Sequence, residues 1–352
     1  MEKKNIESLV RANIAKLTPY STARDEYKGE LGVFLDANES PYSNGYNRYP
    51  DPHQKQLKSR LSAIKNVAVE NIFLGNGSDE AIDLIFRVFC EPRVDNVVSI
   101  APSYGMYKVA AAINDVELRE VQLLEDYSLP VDGLLAAMDS NTKAIFLCSP
   151  NNPTANSFSR ENILRLVDSV ECMVVIDEAY IDFADAESFV GEIATRPNIV
   201  VLQTLSKAWA MAGLRLGLAI ADSRVIELMS QVKYPYNINL AAMQIVSELL
   251  DSPVAEQVEE IKAQRAILAD ELQKFACVKH IYPSDANFLL VKVDDADAMY
   301  EWLVADGIIV RNRCRVKGCE GCLRITVGLK EENQKLLSSI LRYEKEIVDS
   351  RS

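Results

Sequence analysis

From residue 71 to residue 221, short apolar runs alternate with segments whose apolar positions recur every three or four residues. The runs at 96–100, 116–121, 144–148, 172–176, 199–202 and 217–221 read as strands, with 71–74 as a short extended lead. The periodic segments predict helices over 78–90, 104–112, 132–138, 160–169 and 224–232. Strand and helix in steady alternation imply crossover connections, and so a large α/β domain with a mostly parallel sheet flanked by helices.

The pattern changes after Pro235. Residues 240–250 and 253–275 read as long helices with charges along one face. Strands are then expected at 280–282, 288–293, 308–310 and 322–327, with helices at 296–305 and 331–347. This describes a smaller α+β domain formed by both chain ends. The expected division is an N-terminal segment 1–45 joining the small domain, a large ligand-binding domain 46–240, connecting helices 241–275 and a small C-terminal domain 276–352. No internal repeat or low-complexity tract interrupts it.

Composition narrows the partners. A chain of 352 residues, 48% hydrophobic and 25% charged, can bury a sizeable core. Its net charge of -13 disfavours non-specific binding to nucleic acid, so any anionic ligand must be recognised by local cations. No apolar stretch reaches the ~20 residues of a membrane span and the first residues are polar, which makes the cytoplasm the expected location. Seven scattered cysteines are not a disulfide framework. Cys314, Cys319 and Cys322, with Cys277 as a fourth thiol, echo an iron-sulfur spacing, but Cys322 opens a predicted strand and no metal is expected. With His53 and His280 the only histidines, histidine-rich metal sites are excluded and a Ser/His/Asp hydrolase is poorly supported.

The most informative segment follows the run at 199–202: Thr204-Leu205-Ser206-Lys207-Ala208-Trp209-Ala210-Met211-Ala212-Gly213-Leu214-Arg215. An amine on a flexible stem can condense with an aldehyde, the hydroxyls of Thr204 and Ser206 and the Arg215 guanidinium can bind phosphate, and small neighbours admit a flat ring. These are the requirements of a pyridoxal phosphate Schiff-base site. Asp177 ends the apolar strand Met173-Val174-Val175-Ile176, where ligands of parallel sheets gather, and a carboxylate there can keep a pyridine nitrogen protonated. The bland alternative for Asp177 is a helix N-cap. Tyr180, on the same turn, can bond a phenolic oxygen. Gly77, Ser78 and Asp79, in Gly75-Asn76-Gly77-Ser78-Asp79, precede a patterned helix and suit a phosphate cradle, while the third glycine of a dinucleotide fingerprint is missing. Tyr104 offers an aromatic face and Asn152 an amide donor on two further loops after strands. Arg324, in the strand Leu323-Arg324-Ile325-Thr326-Val327, and Arg311 are candidates for capture of carboxylate or phosphate, or for structural ion pairs.

Together these residues resemble the fold type I pyridoxal phosphate aminotransferases, and more closely the histidinol-phosphate aminotransferases among them, over essentially the whole chain. Leu17-Thr18-Pro19-Tyr20, Leu35-Asp36-Ala37-Asn38-Glu39, Asn47-Arg48-Tyr49-Pro50, Gly77-Ser78-Asp79-Glu80, Tyr104-Gly105-Met106-Tyr107, Asn151-Asn152-Pro153-Thr154 and Asp177-Glu178-Ala179-Tyr180 stand in family order, followed by the Lys207 segment and the Arg324 strand. The resemblance implies that Lys207 holds the cofactor aldehyde, Asp177 the ring nitrogen, and Tyr180 and Asn152 the phenolic oxygen, with Tyr104 stacked on the ring. It implies that Ser78 and Asp79 join Thr204, Ser206 and Arg215 around the phosphate, that Tyr49 reaches this phosphate from the other subunit of a homodimer, and that Tyr20, Asn38, Arg311 and Arg324 read the substrate. The implied reaction moves an amino group between histidinol phosphate and 2-oxoglutarate, giving glutamate. An aromatic amino acid aminotransferase, a threonine-phosphate decarboxylase and a non-catalytic cofactor-binding regulator are the alternatives. Ala155 replaces the family's usual glycine, which asks that its turn avoid a glycine-only conformation.

Overall fold

The computed structural model of the protein describes residues 5–21 and 32–351, so part of the predicted N-terminal segment, 1–4 and 22–31, lies outside the described residues. Helices α1 (Ala12–Ala15) and α2 (Lys55–Lys65) precede the large sheet. There follow β1 (Ile72–Asn76), α3 (Ser78–Phe89), β2 (Asn96–Ala101), α4 (Met106–Ile113), β3 (Glu117–Gln122), α5 (Val131–Ala136), β4 (Thr142–Cys148) and α6 (Arg160–Ser169). The large domain is completed by β5 (Met173–Asp177), β6 (Ile199–Thr204), β7 (Leu216–Ala221) and α7 (Ser223–Val232).

These seven strands form one sheet in the order β1-β7-β6-β5-β4-β2-β3. Every neighbouring pair is parallel except β1 with β7 and β6 with β7. The reversal of β7 has a local cause: the connection 205–215 contains only a single 3-10 turn, Ala212–Leu214, whereas a parallel return needs a longer crossover. Side chains alternate between two helical layers. Val174 and Ile176 join Leu57, Leu134, Leu166 and Val246 on one face, while Met173 and Val175 join Ile82, Phe86, Tyr107 and Val225 on the other. Burial on both faces explains why the inner strands read as continuous apolar runs, whereas the edge strand β3 is largely polar and has no buried residue.

The described N-terminal residues differ from expectation. Ile6 and Ile14 are buried in the layer formed by α3 and α7, Arg11 N–H donates to the Val88 carbonyl at 3.0 Å, and Arg224 pairs with Glu7. The two buried isoleucines, on successive short helices, and the Glu7–Arg224 pair hold residues 5–17 on the large domain.

After α8 (Leu240–Leu249) and α9 (Val254–Leu272) come β8 (Val278–Ile281), β9 (Phe288–Val293), α10 (Ala296–Ala305), β10 (Arg311–Asn312), β11 (Cys322–Thr326) and α11 (Lys330–Arg351). The four strands pair antiparallel in the order β10-β11-β9-β8. Leu268 and Leu272 of α9 close this second core with Leu289, Val291, Leu323 and Ile340, whereas Val246 of α8 belongs to the large one. The strand expected at 308–310 lies instead at β10, because Ile309 is 74% exposed and the ladder begins with Arg311 opposite Arg324.

Candidate active site

Parallel strands deliver their carboxyl ends to one edge, and five segments meet there. Asp177 ends β5, the turn 149–154 follows β4, Pro102–Tyr104 follows β2, Lys207 follows β6, and Gly77 and Ser78 follow β1. Because β7 runs backwards, Arg215 at its start reaches the same edge. These residues line one cavity of about 580 Å³, closed on its far side by Arg311, Arg313 and Arg324 of the small sheet.

Asp177 is nearly inaccessible to solvent, and its carboxylate is held by two donors. The Tyr107 hydroxyl donates to Oδ2 at 2.9 Å and the Ala179 N–H to Oδ1 at 3.1 Å. Burial pushes the carboxyl pKa up to about 6 while the Tyr107 hydrogen bond pulls it down. Lys207 moves the other way: burial, then the nearby Arg324 charge, lowers its pKa, and Asp177 opposes the shift. A lysine with a lowered pKa presents more neutral amine, the form that attacks a carbonyl.

At one end of the cavity is an anion cradle. No side chain caps α3, so its first N–H groups and the positive end of its dipole face the cavity beside Ser78. Gly77 adopts φ 79, and a Cβ there would stand 2.8 Å from an Arg215 nitrogen. A Cβ on Gly217 would lie 2.1 Å from the Ser78 nitrogen, so the close approach of β7 to the start of α3 requires glycine. Thr204 and Ser206 hydroxyls lie 3.0 Å apart, and Asp79 sits between Arg215, 3.6 Å away, and the Tyr104 hydroxyl, 3.0 Å away.

At the other end, the Asn152 amide donates to the Tyr180 hydroxyl at 3.4 Å, and Arg324 Nη1 donates to Asn152 Oδ1 at 2.5 Å. Burial raises the Tyr180 pKa and the Arg324 charge opposes it. The Lys207 ammonium lies 5.6 Å from the Tyr180 ring centre. Tyr104 meets Tyr107 edge to face at 5.6 Å.

Thirteen-residue separation in sequence thus becomes cross-strand pairing for Arg311 and Arg324. Three expected residues are not brought to this cavity within the chain. Tyr20 is 75% exposed, and Asn38 and Tyr49 line a second cavity of about 530 Å³, where Tyr49 stacks on Tyr236 at 4.5 Å. Ala155 sits at a strained turn. It occupies the left-handed region at φ 69, fully buried beside Tyr180 and Phe288, a conformation alanine can adopt at a cost of about 1–2 kcal/mol.

Two residues at the site carry no role in the sequence reading. Tyr107 lies three residues after Tyr104 in the first turn of α4, and Arg313 two residues after Arg311 just past β10; that proximity in sequence was the available signal. Among the described residues no group of three or more His, Cys, Asp or Glu side chains is placed to hold a metal ion, and no helix is long and apolar enough to cross a membrane. Cys319 and Cys322 are buried, which raises their pKa values to about 11 and about 12.

The model of the family "Aminotransferase class I and II" matches residues 26–340. A histidinol-phosphate aminotransferase of Parabacteroides distasonis is 52% identical over 339 residues, 96% of this chain and 98% of the relative. Among solved structures, the histidinol-phosphate aminotransferase of Clostridium acetobutylicum has a TM-score of 0.78 at 25% identity, covering 85% of this chain and 91% of that one. The same enzyme from Sinorhizobium meliloti, solved in complex with pyridoxal-5'-phosphate, has a TM-score of 0.76 at 23% identity, covering 85% of this chain and 84% of that one. Cavity, strand order and relatives agree: the chain belongs to the class I and II aminotransferases and, within them, to the histidinol-phosphate aminotransferases.

Proposed function

We propose that this chain, with pyridoxal 5'-phosphate as cofactor, transfers the amino group between L-histidinol phosphate and 2-oxoglutarate, forming imidazole-acetol phosphate and L-glutamate. The observation that carries the reading is the Lys207 amine and the buried Asp177 carboxylate lining one cavity beside a glycine-built anion cradle. The donor set fits the cofactor: an amine for the aldehyde, a carboxylate for the ring nitrogen, and hydroxyls, N–H groups and Arg215 for the phosphate. Bound there, pyridoxal phosphate supplies a carbonyl that condenses with amines and a pyridinium ring that draws electrons from the substrate Cα.

The side chains divide the remaining work. Lys207 Nζ would hold the cofactor through its aldehyde, and its lowered pKa would leave a neutral amine free to take up the proton lost from the substrate Cα. Asp177 holds a proton on the ring nitrogen, which requires the carboxyl to be ionised before the ring binds. Asn152 and Tyr180 hold the phenolic oxygen, and Tyr104 covers the ring. Ser78, Thr204, Ser206 and Arg215 hold the phosphate, with Asp79 orienting Arg215. Arg324 and Arg311 grip the substrate anion; Tyr20 and Asn38, which lie outside this cavity in their own chain, would join them only from a neighbouring subunit. Tyr49 acts across a homodimer on the neighbouring cofactor phosphate, a role supported by its distance from the Lys207 cavity of its own chain. The cytoplasm is the proposed location.

The test is a pair of half-reactions. Glutamate added to the cofactor-loaded protein is expected to convert it to the aminated form with release of 2-oxoglutarate, and histidinol phosphate is expected to do the same with release of imidazole-acetol phosphate. Lys207→Ala is expected to abolish both while leaving the circular dichroism spectrum unchanged. Glutamate turnover without histidinol phosphate turnover would overturn the substrate assignment, and full turnover by the lysine variant would overturn the mechanism.

A further inference from the structure

Arg311 and Arg324 face one another across the β10–β11 ladder, and Arg313 continues that ladder, its N–H donating to the Cys322 carbonyl at 2.9 Å. Arg313 lies just past the end of β10, and Arg311, Arg313 and Arg324 all line the cavity, so three guanidinium groups share one wall. Their pairing is unequal. Arg324 has Asn152 as an acceptor and lies over the Phe288 ring at 5.3 Å. Arg313 is half-buried, and its Nε is enclosed without a hydrogen-bond partner. Among the described residues, no carboxylate forms a salt bridge with any of the three arginines.

The turn after Arg313 explains its fixed position. Val316, Cys319 and Cys322 pack with Leu290 and Tyr127 in a small apolar cluster, and the Tyr127 hydroxyl donates to the Gly318 carbonyl at 2.5 Å. Burial, then the charges of Arg324 and Arg311, lower the Arg313 pKa, yet a guanidinium keeps its proton, so the positive charge remains unbalanced. A half-buried guanidinium that lines the cavity with no carboxylate partner, beside two like charges, is favoured by an anion bound from the cavity side. One fork is satisfied by the two oxygens of a carboxylate, whereas a phosphate dianion offers three oxygens and twice the charge.

We propose that Arg313 is a third anion-binding residue of the substrate site, and that it favours an amine bearing a phosphate monoester over an amino acid bearing only carboxylates. The proposal rests on the aminotransferase reading and deepens it. It concerns how the two substrates sharing one cavity are told apart.

The experiment compares wild type, Arg313→Gln and Arg313→Lys as cofactor-loaded proteins, each with histidinol phosphate, histidinol and glutamate as amine donor. Arg313→Gln is expected to lower kcat/KM for histidinol phosphate by about 10- to 100-fold, mainly through KM, and to cost glutamate and histidinol at least tenfold less. Arg313→Lys, which keeps the charge and loses the fork, is expected to fall between. Inhibition by inorganic phosphate should weaken in the same order. Equal losses for all three donors, or an unchanged preference for the phosphorylated amine, would overturn the proposal, because a structural role would not sort donors by their phosphate. Failure of the wild type to use histidinol phosphate would sink the functional reading alone, since the thermal shift produced by inorganic phosphate in wild type and in both variants would still decide whether Arg313 binds the anion.

Discussion

Asp177 lies almost fully out of solvent, and burial pushes its pKa up to about 6 although the Tyr107 hydroxyl and the Ala179 N–H resist the shift. A carboxyl that holds its proton more tightly when folded than when unfolded stabilises the fold less as pH rises, here from about 4 through about 6. In the cofactor-free protein at pH 8, Asp177→Asn is therefore expected to raise stability by something on the order of 2 kcal/mol, with the gain vanishing toward pH 4. Urea unfolding at several pH values reads this directly. The same variant is expected to lose transamination, so an inactive and less stable protein would contradict the account. Lys207 and Asp177 were legible in the sequence because each follows an apolar strand whose end is a ligand position. Tyr107 was not, since its role depends on a carboxylate 70 residues away that only the fold brings to it. The strain at Ala155 was not legible either: sequence names the residue, but its neighbours hold it in the left-handed region, which alanine can adopt.

At the scale of elements, the antiparallel β7 is what assembles the anion cradle. Thr204 at the end of β6 pairs with Gly217 near the start of β7, and Gly217 in turn abuts Ser78. Gly217→Ala is expected to cost about 3 kcal/mol by forcing the backbone of β7 away from α3, and to weaken cofactor binding together with it. Gly213→Ala, where an added methyl meets nothing within 4 Å, is the control and is expected to fall within about 0.5 kcal/mol of wild type. Chemical unfolding and cofactor titration check both. The inner strands of the large sheet were legible because they are buried on two faces; the edge strand β3 is half exposed and polar, and only its alternation marked it. Helix α2 went unread: only Leu57 and Leu61 of its side chains are buried, too sparse a stripe to stand out among its polar neighbours. The direction of β7 and the displacement of β10 were not encoded in local hydrophobicity either, since each depends on the connection or partner strand.

For the whole molecule, the groups of the site come from two sheets with separate cores, and Tyr49 and Asn38 line a different cavity of the same chain. A homodimer that shares residues between its sites is expected to show complementation. Lys207→Ala and Tyr49→Ala, each impaired alone, should regain activity after joint refolding, because one site of each hybrid would carry both native residues. A mixture no more active than its better component would rule out sharing through Tyr49. Such quaternary relations left little trace in the hydrophobic pattern, which records what a chain buries against itself.

The reversed strand has one further effect. Lys207 and Arg215 belong to a single hairpin laced to the large sheet on both flanks, so the distance between the two grips is set by chain length and not by how the arginine-bearing sheet is docked. An insertion between residues 205 and 215 is therefore expected to loosen the grip on the prosthetic group even if every named side chain were kept.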